Sequence, residues 1–213
     1  MRSKVNVVVA ASLVGLLSTF PSVVTADERA ALLERLQQIR HLDATFSQQV
    51  TDNAGELVQQ LHGRLALARP HFLYWQTDAP DETVMIADGD SLWYYNPFVE
   101  QVTVTDQTDT MEQSPLLLLL DDSAAAWQDY IVKQEGDSFA LQPLPGADSM
   151  QSLQLVFAAQ SPVIQTIILD DGQGQISTIE LSEVTVNGEL EPSLFEFTIP
   201  AGVDVDDQRN PQG

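Results

Sequence analysis

The spacing of apolar residues divides the chain into three regimes. Residues 5–17 are mostly apolar and carry no charge. Residues 27–40 switch to a helical period, with Leu32, Leu33, Leu36 and Ile39 on one stripe and Asp27 placed to cap the start. Arg35 and Arg40 fall toward the C-terminal end of that helix, where positive charge suits the dipole. From Ala44 onward the period becomes two. Ala44, Phe46, Gln48 and Val50 share one strand face, and Leu61, Gly63, Leu65 and Leu67 share another. Short strands are predicted over 72–76, 83–87, 92–95, 101–105, 130–134, 139–142, 153–157, 163–169, 177–186 and 195–199. Asp88-Gly89-Asp90, Asn96-Pro97 and Asp170-Asp171-Gly172 supply turns between them. Within 177–186 the apolar phase slips, from Ile179 and Leu181 to Val184 and Val186, which predicts a bulge near Ser182 and Glu183.

These elements predict a mainly β fold of about ten or eleven antiparallel strands, and a sheet that long curls toward a barrel. The β pattern breaks between residues 112 and 130. Ser114 can cap a helix and Pro115 suits its first turn; Leu116, Leu117, Leu118, Leu119 and Leu120 follow, and Asp121 and Asp122 end the apolar run. Ser123 can cap a second short helix that carries Trp127 and Tyr130.

Composition narrows the compartment and the chemistry. Arg2 and Lys4 before the first apolar run, and Val24-Thr25-Ala26 after it, read as a secretory signal over residues 1–26 cut after Ala26. An uncut N-terminal anchor is the alternative, although the run is short for a membrane span. The remaining 187 residues show no repeat or linker and read as a single domain, 27–213. With no cysteine, disulfides, thiol catalysis, thiolate metal sites and N-terminal cysteine lipidation are excluded. The chain carries 9 basic residues against 31 acidic ones, two of the basics being in the signal, so nucleic-acid binding is excluded and anionic lipid is disfavoured.

Three features stand out as candidate chemistry. A leucine pentad that is apolar all round has no face for water, so it is either a core helix plugging a barrel end or the contact for an apolar ligand. Arg69 continues the Leu65, Leu67 face, and a guanidinium there needs partners. It can reach the free carbonyls at the end of a short helix, bridge to a carboxylate, or lie exposed where the strand leaves the core at Pro70. The aromatic residues Phe72, Tyr74, Trp75, Trp93, Tyr94 and Tyr95 either line a wide apolar cavity or form ordinary core. His41, His62 and His71 lack metal-ligand spacing, and there is no Gly-x-Ser-x-Gly elbow or phosphate-binding glycine loop. No enzyme activity, metal or cofactor is expected.

Several stretches are more specific. Arg69-Pro70 followed by Trp75, Asp81-Glu82, Asp88-Gly89 to Leu92-Trp93, the run Tyr95-Asn96-Pro97-Phe98-Val99-Glu100-Gln101, and the tail Val205-Asp206-Asp207-Gln208-Arg209 together resemble the LolA family of periplasmic outer-membrane lipoprotein carriers. The resemblance implies an unclosed antiparallel β-barrel covered by a short helical lid, with an apolar cavity between them. It implies triacylated lipoproteins as cargo, loading by an inner-membrane ABC transporter, delivery to an outer-membrane receptor, and a monomer in the periplasm. It implies that Arg69 holds the lid closed through the backbone carbonyls of Leu36, Leu119 and Leu120. The acyl-chain cavity and lid would then comprise Leu65, Leu67, Phe72, Leu73, Trp75, Trp93 and the five leucines. The family pattern carries a bulky aromatic where this chain has Leu73, with Phe72 beside it. A periplasmic lipid-binding sensor or scaffold domain on the same half-barrel is the other reading.

Such acidity, with Lys133 the only lysine after the signal, points to a chain whose self-repulsion is relieved by salt. The melting temperature is expected to rise from low to molar salt in a thermal scan; a flat or falling trend defeats this reading.

Overall fold

The structure is a computed structural model that describes residues 25–108, 116–121, 127–146 and 151–209, with the side chains of 25–27 excepted. The signal segment up to residue 24, the caps expected at Ser114 and Ser123, and Pro115 lie outside what it describes, while the cap expected at Asp27 is corrected, because α1 already begins at Thr25 and Asp27 lies within it. One helix and a single sheet make up most of the rest. Helix α1 spans Thr25–Gln37, and the strands are β1 (His41–Thr51), β2 (Leu57–Ala68), β3 (Phe72–Thr77), β4 (Val84–Asp88), β5 (Ser91–Asn96), β6 (Gln101–Asp106), β7 (Tyr130–Glu135), β8 (Ser138–Pro143), β9 (Ser152–Phe157), β10 (Ile164–Asp170), β11 (Ile176–Val186) and β12 (Asp204–Asp207). Their order across the sheet is β12-β6-β5-β4-β3-β2-β1-β11-β10-β9-β8-β7, so β12 and β7 are the two edges and the barrel is not closed.

The mainly β, unclosed sheet expected is present, with twelve strands among the described residues against the ten or eleven expected, and it is not wholly antiparallel. β12 pairs with β6 in parallel, with Asp204 opposite Gln101 and Asp207 opposite Val104. At four residues and three aspartates it is too short and too acidic to stand out as a strand. The strand expected over 195–199 is absent. A 3-10 helix at Pro192–Phe195 stands at its start, and the chain then lies flat against the sheet face. There Phe195 meets Phe72 and Phe197 stacks on Trp93, with ring centroids 5.6 and 5.5 Å apart. The alternation that predicted a strand reflects this face-on packing rather than edge pairing.

The expected bulge is present. Asp43 pairs with Thr185 but Thr45 pairs with Ser182, leaving one extra residue on β11, and Glu183 adopts φ +53°. The aspartate turns close as the sequence suggests. Asp88 Oδ1 accepts from the amides of Asp90 and Ser91, and Asp171 Oδ1 accepts from those of Gln173 and Gln175.

One apolar cluster fills the hollow of the sheet. Leu65, Leu67, Leu73, Trp75 and Leu92 from one wall meet Tyr130, Val132, Phe139, Leu141, Leu153, Leu155 and Phe157 from the other, with Leu32 and Leu36 of α1 between them. Strands so far apart in the order share one cluster only because the sheet curls around α1. A second, thinner layer lies on the outer face. There Ile86, Trp93, Tyr95, Val102 and Val104 sit in register beneath the C-terminal segment.

Gly63 sets how tightly one wall can curl. A Cβ at this position would sit 1.9 Å from the Gln76 carbonyl oxygen and 2.8 Å from the Phe46 ring. The missing side chain lets Phe46, its cross-strand partner, lie tilted against Trp75 with centroids 4.0 Å apart. Gly63→Ala is expected to destabilise the fold by about 3 kcal/mol, near the upper end for overpacking a tight site. A denaturant midpoint unchanged from wild type would show that the contact relaxes freely.

Candidate functional site

The hollow of the sheet is capped by α1 and by the leucine turn, and the way these two are held defines the site. Leu116 is half-buried, whereas Leu117, Leu118, Leu119 and Leu120 are no more than 4% exposed. Leu117–Leu119 form a single 3-10 turn closed by Leu119 N to Leu116 O, Leu120 N to Leu117 O and Asp121 N to Leu118 O. A turn this short spends its early carbonyls on itself and leaves the later ones without intrahelical donors. α1 ends in the same condition. Gln38 N and Ile39 N return to Arg35 and Leu36, after which the chain turns into β1.

Arg69 meets both ends. Period two along β2 carries it onto the inner face after Leu65 and Leu67, and its backbone amide donates to the Arg40 carbonyl at 2.8 Å. Its half-buried guanidinium donates from Nη1 to the Leu36 carbonyl at 2.5 Å and from Nη2 to the Asp121 carbonyl at 3.2 Å. Leu36 is one of the acceptors expected. The second acceptor is the Asp121 carbonyl, one residue beyond the expected Leu120. Trp127 Nε1 donates to the same Asp121 oxygen at 3.4 Å, and the Trp127 ring is fully buried.

The other expected lining residues divide by strand parity. Leu65, Leu67, Leu73 and Trp75 face the hollow, with exposures of 1%, 3%, 3% and 9%. Phe72 and Trp93 do not, and their place in the cavity is corrected. Each neighbours an inward residue, Leu73 and Leu92, and alternation sends it to the outer face. Phe72 packs on Phe195 there. Trp93 lies between Phe197 and the guanidinium of Arg209, and its Nε1 donates to Asp88 Oδ2 at 2.7 Å. Burial raises the Asp88 pKa, but the amides of Ser91 and Asp90, the Trp93 indole and nearby Arg209 together bring it below the ordinary carboxylate value. Asp207, held by the Arg209 side chain and backbone, is lowered to about 2. This network pins the C-terminal tail to the outer face and leaves the hollow apolar.

Reading by sequence missed three groups that shape the interior. Phe139 and Phe157 meet edge to face with centroids 5.7 Å apart, and Trp127 closes one end. Arg35 enters from α1, lies over both rings and pairs with Asp137 in the β7–β8 turn. The hydrogen bond from Arg35, with another from the Gln160 amide, holds the Asp137 carboxyl below its ordinary range. The inward parity of β8 and β9 was a usable signal for the two phenylalanines. Nothing local marks Arg35 or Asp137, which are 102 residues apart.

The comparisons with known proteins agree with this geometry. The family described as "Outer membrane lipoprotein carrier protein LolA" matches residues 37–198. An outer-membrane lipoprotein carrier protein of Shewanella loihica is 40% identical over 184 residues, which is 86% of this chain and 88% of that one. Its counterpart from Salmonella typhi is 38% identical over 192 residues, covering 90% and 94%. Among solved structures, an uncharacterized conserved protein from Thermus thermophilus aligns with a TM-score of 0.52 at 12% identity, over 86% of this chain and 99% of that one, and shows the shared fold alone. The family match over residues 37–198, together with relatives this similar over nearly their full length, establishes that the chain belongs to the LolA family of outer-membrane lipoprotein carrier proteins.

Proposed function

We propose that this protein is a periplasmic carrier that shelters the acyl chains of lipoproteins between its half-barrel and lid and carries them to the outer membrane. It works by binding and release, not by catalysis. The observation that supports this most is the pairing of a largely apolar hollow with a lid held by a few polar bonds at one end. Its relatives carry the name of outer-membrane lipoprotein carriers.

The energetics require such an arrangement. Moving an acyl chain from lipid to water costs about 0.8 kcal/mol per methylene, so one chain of ordinary length costs on the order of 10 kcal/mol. A few hydrogen bonds cannot offset that, and a continuous apolar surface can. The same surface must be covered when empty, because large exposed apolar patches aggregate. The five leucines cover it from above. Arg69 then acts as a latch, joining the end of α1 to the end of the leucine turn through Leu36 and Asp121. Hydrogen bonds to a charged donor contribute about 1.5–3 kcal/mol each. That is enough to favour the closed state and small enough for cargo to reverse it. An inner-membrane ABC transporter loads the open form, and an outer-membrane receptor takes the cargo as the lid closes. The carrier acts as a monomer, exported by the signal over residues 1–26.

Mass spectrometry of protein purified from the periplasm without detergent should find triacylated lipoproteins in roughly one-to-one ratio. An empty protein that also takes nothing from an energised transporter defeats the carrier reading. Arg69→Leu is expected to accept lipoprotein but pass it on poorly, since closure no longer favours release. Normal transfer by that variant in a purified donor–receptor assay would rule out the latch.

A further inference from the structure

α1 is fastened to one wall of the half-barrel by bonds that do not involve Arg69. Glu28 Oε1 accepts from the Gln134 amide at 3.4 Å, Arg29 donates to the Tyr130 carbonyl at 2.5 Å, and Arg35 pairs with Asp137. All three contacts lie on β7 or on the turn that follows it. When the leucine turn swings away from Arg69, Arg35 therefore stays in the wall of the hollow.

Arg35 has a donor with nothing to do. Its side chain is 18% exposed, and its guanidinium carbon lies 5.1 Å from the centroid of Phe157 and 5.8 Å from that of Phe139. Both rings are no more than 2% exposed within the apolar cluster. Nη2 is engaged by Asp137. Nη1 is enclosed and donates to no acceptor among the described residues. Buried donors without acceptors are costly, and those that persist call for a reason. The aromatic faces attract the cation but offer no carbonyl or carboxylate.

The acyl cargo brings acceptors of the right kind. Each chain is joined to its lipoprotein through an ester or amide carbonyl, and that oxygen loses water when the chain enters an apolar interior. We infer that Arg35 Nη1 donates to an ester carbonyl at the head of the bound acyl chains, while Asp137 holds the guanidinium in place. This inference rests on the carrier reading above. It makes the interior selective for ester-linked chains over hydrocarbon of equal length. The planar fork of arginine suits the task, because one nitrogen serves Asp137 while the other serves the ligand.

The test compares a synthetic triacylated lipopeptide with its counterpart in which the two ester carbonyls are replaced by ether methylenes. Both are competed for the full-length mature protein and for Arg35→Gln. The ester-to-ether preference of wild type should exceed that of Arg35→Gln by about tenfold, the scale of one hydrogen bond to a charged group. In infrared spectra of wild type loaded with lipopeptide labelled at the ester carbonyl, the stretch should lie at lower frequency than in hydrocarbon solvent. An equal preference in the two proteins, or an unshifted carbonyl band in wild type, overturns the inference. The infrared result needs no variant, so it decides the matter even where Arg35→Gln does not fold. Wild type that binds neither lipopeptide overturns the carrier reading instead.

Discussion

The structure depends on how the C-terminal end of α1 is satisfied. A helix ends with carbonyls short of donors, and at the end of α1 the buried Leu36 takes Arg69 at its carbonyl as well as the amide of Ile39. Arg69 serves the Leu36 carbonyl from one wall, while Arg35, the residue before it, reaches Asp137 in the other. Two adjacent residues of α1 therefore tie together strands that stand far apart in the sheet order. Without that brace the two walls of an unclosed sheet would be coupled only through the strands between them. The brace also explains how a half-open barrel can be compactly closed: the lid ends on bonds from both sides.

Asn187 shows the same principle on a smaller scale. It stands just past β11 with φ +59°, and its side chain accepts from the amides of Arg40 and His41 while donating to the Gln38 carbonyl. The corner between α1 and β1 is thus completed by a residue 147 positions later. A corner built this way holds α1 in place independently of the leucine turn, which is joined through Asp121 to Arg69 and Trp127.

The two faces of the sheet have different tasks, which explains the division of the aromatic residues. The inner face is mostly leucine, with a few rings among them. The outer face of β3–β6 is a permanent core, where rings stack against Phe195 and Phe197 and polar atoms find fixed partners such as the pair of Trp93 and Asp88. Ring stacking and indole hydrogen bonds suit a contact that never opens. The β12 edge is acidic. Asp204, Asp206 and Asp207 there discourage another strand from pairing with the sheet.

Much of this was legible in the sequence, for a definite reason. Alternation of side chains along a strand is a local property, so the strands from β1 to β11, the bulge at Glu183 and the inward course of Leu65, Leu67 and Arg69 could all be read from period two. The aspartate turns were equally local. What alternation could not decide is which face is the hollow once both faces are buried. Phe72 and Trp93 looked like cavity residues for that reason, and only the C-terminal segment lying over them gives the outer face its own core. β12 was invisible because its pairing is parallel and distant. The partnership of Arg35 with Asp137 was hidden too, since neither residue carries a local pattern. Sequence therefore determined the elements and their inner face at Arg69, because those depend on neighbours along the chain. Tertiary structure alone decided which carbonyls and carboxylates the arginines meet, because it brings together groups that are far apart along the chain.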